Sequence, residues 1–259
     1  MQPASRSMTL TALEGIPLIF PGDDLSAIIA ASLDAMTIVP RQGDILVVAQ
    51  KVVSKAQNRY RHLSSVVPSE RAQDFAKVLD KDARHIAVIL QESSEVLRQA
   101  QNALITVHKL GFVMANAGVD QSNIEHGTDA ADTVLLLPED PDGTAAALKT
   151  ALDARYGVAL GVIINDSFGR PWRKGVTGVA LGAAGVPSLR SLVGEADLFG
   201  RALRITEHAA ADEIASAASL LMGQAAEGMP VVHISGLNLN ADPLPAQALI
   251  RPKHQDVFR

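Results

Sequence analysis

A chain of 259 residues, 47 % of them hydrophobic, can bury a substantial core without staples, as one large domain or two small ones. Aromatic residues make up only 3 %, so that core is aliphatic and alanine-rich, and the absence of cysteine excludes disulfides, thiolate metal sites and thiol nucleophiles. A formal net charge of −5 argues against a nucleic-acid or anionic-membrane partner, which demands a basic face, and leaves local basic clusters to serve small anions.

The opening residues MQPASRSMTL lack the apolar stretch of a signal peptide, and no apolar run approaches the length of a membrane span, so a cytoplasmic location is expected. Leu13–Leu25, LEGIPLIFPGDDL, begins with a short apolar segment and turns at Pro21-Gly22. Asp23 or Asp24 is placed to cap a helix from about Leu25 to Met36, whose apolar stripe is Ile28, Ile29 and Leu33. The flat apolar stretch Ile16, Pro17, Leu18, Ile19 ahead of that helix has the character of a nucleobase platform.

Gly43-Asp44 marks a turn, and Ile45–Ala49 reads as a strand covered on both faces. It ends in Gln50-Lys51, with Ser54 and Lys55 close behind: either a strand end that delivers charge or a solvated lysine pair. Pro68-Ser69 opens a helix through about Leu79, and a second amphipathic helix is expected from about Asp82 to Gln99. Leu104–Ala117 alternates around Lys109-Leu110-Gly111 as two strands joined by a turn, and exits through GVDQSN, which carries Asp120, Ser122 and Asn123. Thr133–Leu137 is a further strand, closed by the turn Pro138–Gly143, and a helix from about Thr144 to Tyr156 leads through Gly157 into the next strand. Strand, turn, helix, strand is a βαβ pattern, so part of the sheet is expected to be parallel.

Val158–Ile164 is an unbroken apolar run, and polar chemistry starts where it stops: Asn165, Asp166, Ser167, then Gly169, Arg170, Pro171, Arg173 and Lys174. Read as a loop at a strand's carboxyl end, where α/β sheets collect ligands, this is an anion site with room for a metal; read blandly, it is a capped turn with solvent-facing cations. The following VTGVALGAAG is either a close-packed strand or a loop that approaches phosphate, and it matches neither the P-loop nor the dinucleotide fingerprint. Glu207–Met222 is the strongest helix of the chain, stopped by Gly223. The small-residue loop Met222, Gly223, Gln224, Ala225, Ala226, Glu227, Gly228, Met229 lets backbone approach a ligand before the strand Val231–Ile234. The last twenty residues are polar and read as an extension or a dimer arm.

Asp120, Asp166, Ser167 and the Gln224 amide are all hard oxygen donors, which suit Mg²⁺ or Mn²⁺ and leave coordination positions to water and phosphate. With Lys51, Lys55 and Arg170 as candidate phosphate ligands, the set fits a nucleoside triphosphate.

Seven ordered segments, GIPLIFPGDDL, GDILVVAQKVVSKA, NAGVDQSN, LLLPEDPDG, VIINDSFGRPWRKGVTGVALGAAG, ADEIASAASLLMGQ and PVVHISGLN, resemble the coenzyme F(420)-0:L-glutamate ligases nearly end to end. The resemblance implies a GTP-dependent ligase that joins L-glutamate to the carboxylate on the phospholactyl side chain of the deazaflavin coenzyme F(420)-0, and can add a further glutamate through a γ-linkage. In that scheme the γ-phosphoryl group passes to the carboxylate, the amine of glutamate attacks the acyl phosphate, and GDP and phosphate leave. It implies two divalent cations (Mg or Mn), with a monovalent cation (K) as a further candidate: Asp120 and Asp166 on one divalent ion, Ser167 and Gln224 on the second. Nucleotide contacts would come from Ile16–Ile19, Gln50, Lys51, Lys55, Asn123 and Met222–Met229.

The implied fold is α/β, with mixed sheets, flanking helices and two intertwined domains within 1–259, neither Rossmann nor P-loop. The implied assembly is a homodimer, and the flavin-binding domain that follows in some relatives is not expected here. Gln224 stands where relatives can carry Glu, and Gln50-Lys51 replaces a small hydroxyl pair. No general base is assigned; water, phosphate or an acid such as Asp23 are the candidates. The rival expectations are a metal-dependent nucleotide hydrolase or phosphotransferase on another acceptor, and a non-catalytic nucleotide-binding regulator.

Overall fold

The computed structural model describes residues 7–100, 102–124, 132–239 and 241–256. Its organising element is a five-stranded sheet in the order β1-β12-β2-β8-β9. The strands are β1 (Thr9–Ala12), β12 (Val231–Ser235), β2 (Ile45–Ala49), β8 (Gly161–Arg170) and β9 (Arg173–Ala184). The apolar runs alternate between its faces. Leu46, Val48, Val162, Ile164 and Val231 point to one side, where they are buried under α1 (Leu25–Ala35) and α5 (Pro141–Tyr156). Ile45, Val47, Ile163, Val232 and Ile234 point to the other, under the alanine-rich face of α6 (Ala210–Met222). Helices on both faces of a mixed sheet make the fold α/β.

A separate apolar cluster lies between α3 (Glu70–Leu79), α4 (Ala83–Gln91) and a three-stranded antiparallel sheet, β4 (Ser93–Gln99), β5 (Leu104–His108) and β6 (Val113–Ala115). A two-stranded pair, β3 (Tyr60–His62) with β7 (Thr133–Leu135), links this layer to the main sheet, because β3 follows directly on α2 (Gln50–Ala56).

Local capping chemistry explains several boundaries. Asp24, not Asp23, caps α1 by accepting from the N–H groups of Ser26 and Ala27; Ser69 caps α3 and Asp140 caps α5. Gly157 closes α5 in the left-handed conformation. Capping by Asp140 also starts α5 at Pro141, so the expected turn Pro138–Gly143 is half helix.

Four expectations are corrected. The helix expected over Asp82–Gln99 ends at Gln91, where the Ser93 hydroxyl donates to the Ile89 carbonyl, and Ser93–Gln99 becomes a strand paired with β5. Its residues favour helix locally, but an available sheet edge overrides propensity. The polar stretch after Ile164 is not a loop: β8 runs on to Arg170 and forms a long hairpin with β9, which also resolves VTGVALGAAG as a strand. The parallel neighbour of β8 is β2, not β7, which pairs with β3 instead. The C-terminal segment is no free arm: Ala246 is fully buried, and the N–H groups of Ala246 and Gln247 donate to the Asp142 carboxylate beside β9.

Candidate functional site

The sheet order explains why distant residues meet. Because β2 and β8 are parallel, with Ala49 opposite Asn165, the carboxyl end of β2 lies beside the middle of the longer β8, and Lys51 and Asp166 come to the same cleft. Strand β12 runs antiparallel to β2, and the Ala49 N–H donates to the Pro230 carbonyl, so the loop before β12 enters at the same place. The exit of β1 arrives there too, since the Leu13 N–H donates to the Val231 carbonyl. Asp120 is fixed by a two-way backbone bridge to Leu135, the end of the strand paired with β3.

The result is a cleft of about 670 Å³. Of the residues named for the nucleotide or metals, all but Arg170 line it: Ile16–Ile19, Gln50, Lys51, Lys55, Asn123, Asp120, Asp166, Ser167 and the loop Met222–Met229. Within it Lys51 Nζ lies 2.7 Å from Asp120 Oδ2 and donates to the Ser122 hydroxyl at 2.8 Å and the Ser122 carbonyl at 2.9 Å. The Ser122 N–H and hydroxyl in turn donate to Asp120 at 2.8 and 2.9 Å. Lys55 Nζ donates to the Asn123 carbonyl at 2.7 Å, and Asn123 Nδ2 reaches across to the Ala225 carbonyl at 3.0 Å, tying the glycine-containing loop to the opposite wall. That loop is also held from within, as Glu227 accepts the Ala225 N–H at 2.8 Å.

The two carboxylates are tuned in opposite directions. Burial pushes the Asp120 carboxyl up, but the Lys51 ammonium and the Ser122 donors outweigh it and leave the group below the ordinary carboxylate range. Asp166 is lifted to about 6, chiefly by burial and further by the Asp120 charge, against the opposing pull of the Ser167 N–H and Lys51. A carboxyl lifted mainly by desolvation, with a second acid beside it, is a place where a further cation would be favoured. Among the described residues no group of three or more His, Cys, Asp or Glu side chains is placed to hold a metal ion, so a hard cation here would draw on the Asp120 and Asp166 carboxylates, the Ser167 hydroxyl and the Gln224 amide, completed by water and phosphate oxygens. The donor set fits Mg²⁺ or Mn²⁺.

Two sequence expectations do not converge on this cleft. Arg170, Arg173 and Lys174 lie at the far tip of the β8–β9 hairpin and do not line it. Asp23 lines a smaller hollow with Asp24 and Thr144, and its carboxylate accepts from the N–H of Phe20 on the cleft wall. Conversely, Phe20, Tyr60, Ile124 and Asn165 line the cleft without having been singled out. Asn165 carried a readable hint, as the first polar residue after a buried strand, whereas Tyr60 reaches the cleft only because β3 pairs with β7.

The family model described as F420-0:Gamma-glutamyl ligase matches residues 15–236. The chain is 42 % identical over 255 residues to the Coenzyme F420:L-glutamate ligase of Methanothermobacter thermautotrophicus, covering 97 % of this chain and 99 % of that protein. It is 44 % identical over 254 residues to the protein of the same name from Methanopyrus kandleri, covering 95 % and 97 % respectively. Against the Methanocaldococcus jannaschii protein of that name it is 44 % identical over 217 residues, covering 84 % and 85 %. The residues that carried the resemblance, GIPLIFPGDDL through PVVHISGLN, fall inside or within a few positions of the matched span, and with this coverage the chain belongs to the F420-0:gamma-glutamyl ligase family.

Proposed function

We propose that the chain is a GTP-dependent ligase that joins L-glutamate to the phospholactyl carboxylate of coenzyme F(420)-0, releasing GDP and phosphate, in the biosynthesis of that coenzyme. Family membership supports glutamate ligation. The observation that supports a nucleotide step is the cleft itself, where the Asp120 carboxylate beside the end of β7, the Asp166 carboxylate within β8 and two lysines from one short helix meet a backbone loop of small residues.

A carboxylate attacking a triphosphate sets anion against anion, and divalent cations held by Asp120, Asp166, Ser167 and Gln224 would screen both. The remaining roles belong to the chain. Lys51 and Lys55 stand where phosphate oxygens would lie, each already oriented by a hydrogen bond to the Ser122–Asn123 turn. The Ile16–Ile19 segment offers an apolar wall for the base, with Leu18 largely exposed and Ile19 buried beneath it. Loop Met222–Met229 presents backbone, and the Asn123–Ala225 bond closes it over the turn that carries Lys55's partner. Once the acyl phosphate forms, the amine of glutamate attacks its carbonyl carbon, the amide bond is made, and the phosphate leaves with the electron pair of the broken C–O bond.

The test is phosphate release from GTP with Mn²⁺ or Mg²⁺, measured with and without L-glutamate and the deglutamylated coenzyme, with the product mass read alongside. The expected outcome is release that requires both acceptors and a product heavier by glutamyl residues. Equal hydrolysis without them points to a hydrolase or a phosphotransferase on another acceptor. Asp166→Asn is expected to cut ligation by at least about a hundredfold with the fold intact, because it removes a charge from the metal-binding set.

A further inference from the structure

Aromatic side chains make up 3 % of the chain, and among the described residues two of them line the cleft, Phe20 and Tyr60. They stand at different ends. Tyr60 pairs with Leu135, the residue whose backbone bridges Asp120, so it lies on the side of the acids. Phe20 belongs to the segment that leaves β1, and in the sheet order β1 is three strands away from β8, which carries Asp166. At the usual strand spacing that is roughly 14 Å, comparable with the reach of an extended nucleoside triphosphate.

The segment holds the Phe20 ring on a fixed mount and half in water. Ile19 is buried in the core beneath, whereas Leu18 and Phe20 on either side of it are 71 % and 47 % exposed. The Phe20 N–H donates to Asp23 Oδ2 at 2.7 Å, and the Phe20 carbonyl accepts the Asp23 N–H at 3.2 Å. The turn is pinned to α2, because the Gly22 N–H donates at 2.8 Å to the Ala56 carbonyl, one of those a helix end leaves over. Ala56 follows Lys55, so the ring is tied to the same short helix that carries both lysines. Leaving an aromatic ring half in water forgoes part of its burial, and the tied turn gives it no route to the core.

We infer that Phe20 is the stacking platform for the nucleobase, with Leu18 beside it and the phosphates running from Lys55 and Lys51 towards Asp120 and Asp166. The inference rests on the nucleotide reading of the cleft. With the anionic end of the molecule at the lysines and acids, its planar end has to lie on the wall away from them, and Phe20 is the aromatic ring that wall offers. A flat π-face suits a planar heterocycle. Stacking of this kind tolerates any base, so Phe20 supplies affinity, and preference among bases has to come from polar groups of the cleft.

The experiment titrates GDP, and separately inorganic tripolyphosphate, each with Mn²⁺, into the full-length wild type, Phe20→Ala and Phe20→Tyr by calorimetry. Phe20→Ala is expected to bind GDP about tenfold more weakly, the usual scale for losing one stacked ring, and to bind tripolyphosphate as the wild type does. Phe20→Tyr keeps the ring and is expected to stay within about twofold of the wild type for both ligands. Because the ring is half in water, Phe20→Ala should melt within about 2 °C of the wild type, which separates recognition from folding. Equal GDP affinity in all three proteins overturns the inference and leaves the nucleotide reading standing; if binding of the deglutamylated coenzyme is lost instead, the ring serves the acceptor. An equal loss for GDP and tripolyphosphate also overturns it, because the substitution then acts through the turn and the lysines. A wild type that binds no GDP overturns the nucleotide reading, and this inference with it.

Discussion

Asp166 shows how one position serves the cleft at the expense of the empty fold. Its carboxyl is raised from 3.8 to about 6, so the folded protein binds a proton that the unfolded chain has already lost in that interval. The favourable contribution is complete below pH 4 and is lost as pH rises through about 6, a difference of at most about 3 kcal/mol. Asp166→Asn removes the dependence. In urea unfolding without metal, the variant is expected to match the wild type near pH 4 and to exceed its stability at pH 7.5. Parallel curves across that range would show that Asp166 is not strained by its site. Other carboxylates, Asp120 among them, are shifted downward and contribute the opposite slope at lower pH, so the difference between variant and wild type, not either curve alone, carries the result.

At the scale of elements, the glycines of β9 explain how two helices come within backbone reach of the sheet. A Cβ on Gly182 would lie 2.3 Å from the Pro141 carbonyl at the start of α5, and one on Gly178 would lie 2.4 Å from the Ala215 carbonyl of α6. Both contacts are to main chain, which cannot rotate away. Gly182→Ala is therefore expected to destabilise the protein by about 1–3 kcal/mol, as overpacking does. Gly169→Ala on β8, whose added carbon meets open space, should stay within about 0.5 kcal/mol. Chemical denaturation of the two variants side by side checks the claim; equal effects would refute it. The segment's richness in glycine was visible in the sequence, but strand and phosphate loop share that composition. Only the pairing of β9 with β8 and the helices pressed on it decide between them. Ser93–Gln99 teaches the same lesson in reverse: Glu, Leu, Arg and Gln speak locally for helix, and the edge of β5 turns them into strand.

At the scale of the molecule, a paired extension between β10 (Arg190–Ser191) and β11 (Glu207–His208) carries large apolar side chains into solvent: Leu198 is 99 % exposed, Phe199 90 % and Ile205 88 %. Such a grouping favours coverage by another chain, and a homodimer is the occupant expected from the family resemblance. Sedimentation velocity at micromolar concentration should give twice the chain mass for the wild type and a shift towards the single-chain mass for Leu198→Ser with Phe199→Ser. A wild type that sediments as a single chain would refute it. Among the described residues no helix is long and apolar enough to cross a membrane.

The sequence by itself determined the central strands, since apolar runs such as Ile45–Ala49 and the Gly161–Ile164 start of β8 suit a covered sheet, and it showed the hard oxygens and lysines that follow them, but it did not reveal β4 or the polar half of β8 as strand. It also displayed the Ser69 cap and the stops Gly157 and Gly223, and narrowed the cap of α1 to Asp23 or Asp24, since such signals act within a few residues. Tertiary structure alone decided which strands are neighbours. The placement of β2 beside β8, with Ala49 opposite Asn165, brings Lys51 to Asp120 and both to Asp166, while the same β8 carries Arg170 away from the cleft that its sequence proximity to Asp166 suggested. Burial and capping are local or one-body preferences, written residue by residue; strand order and register are set by long-range packing of whole faces, and no stretch of the chain holds that information alone.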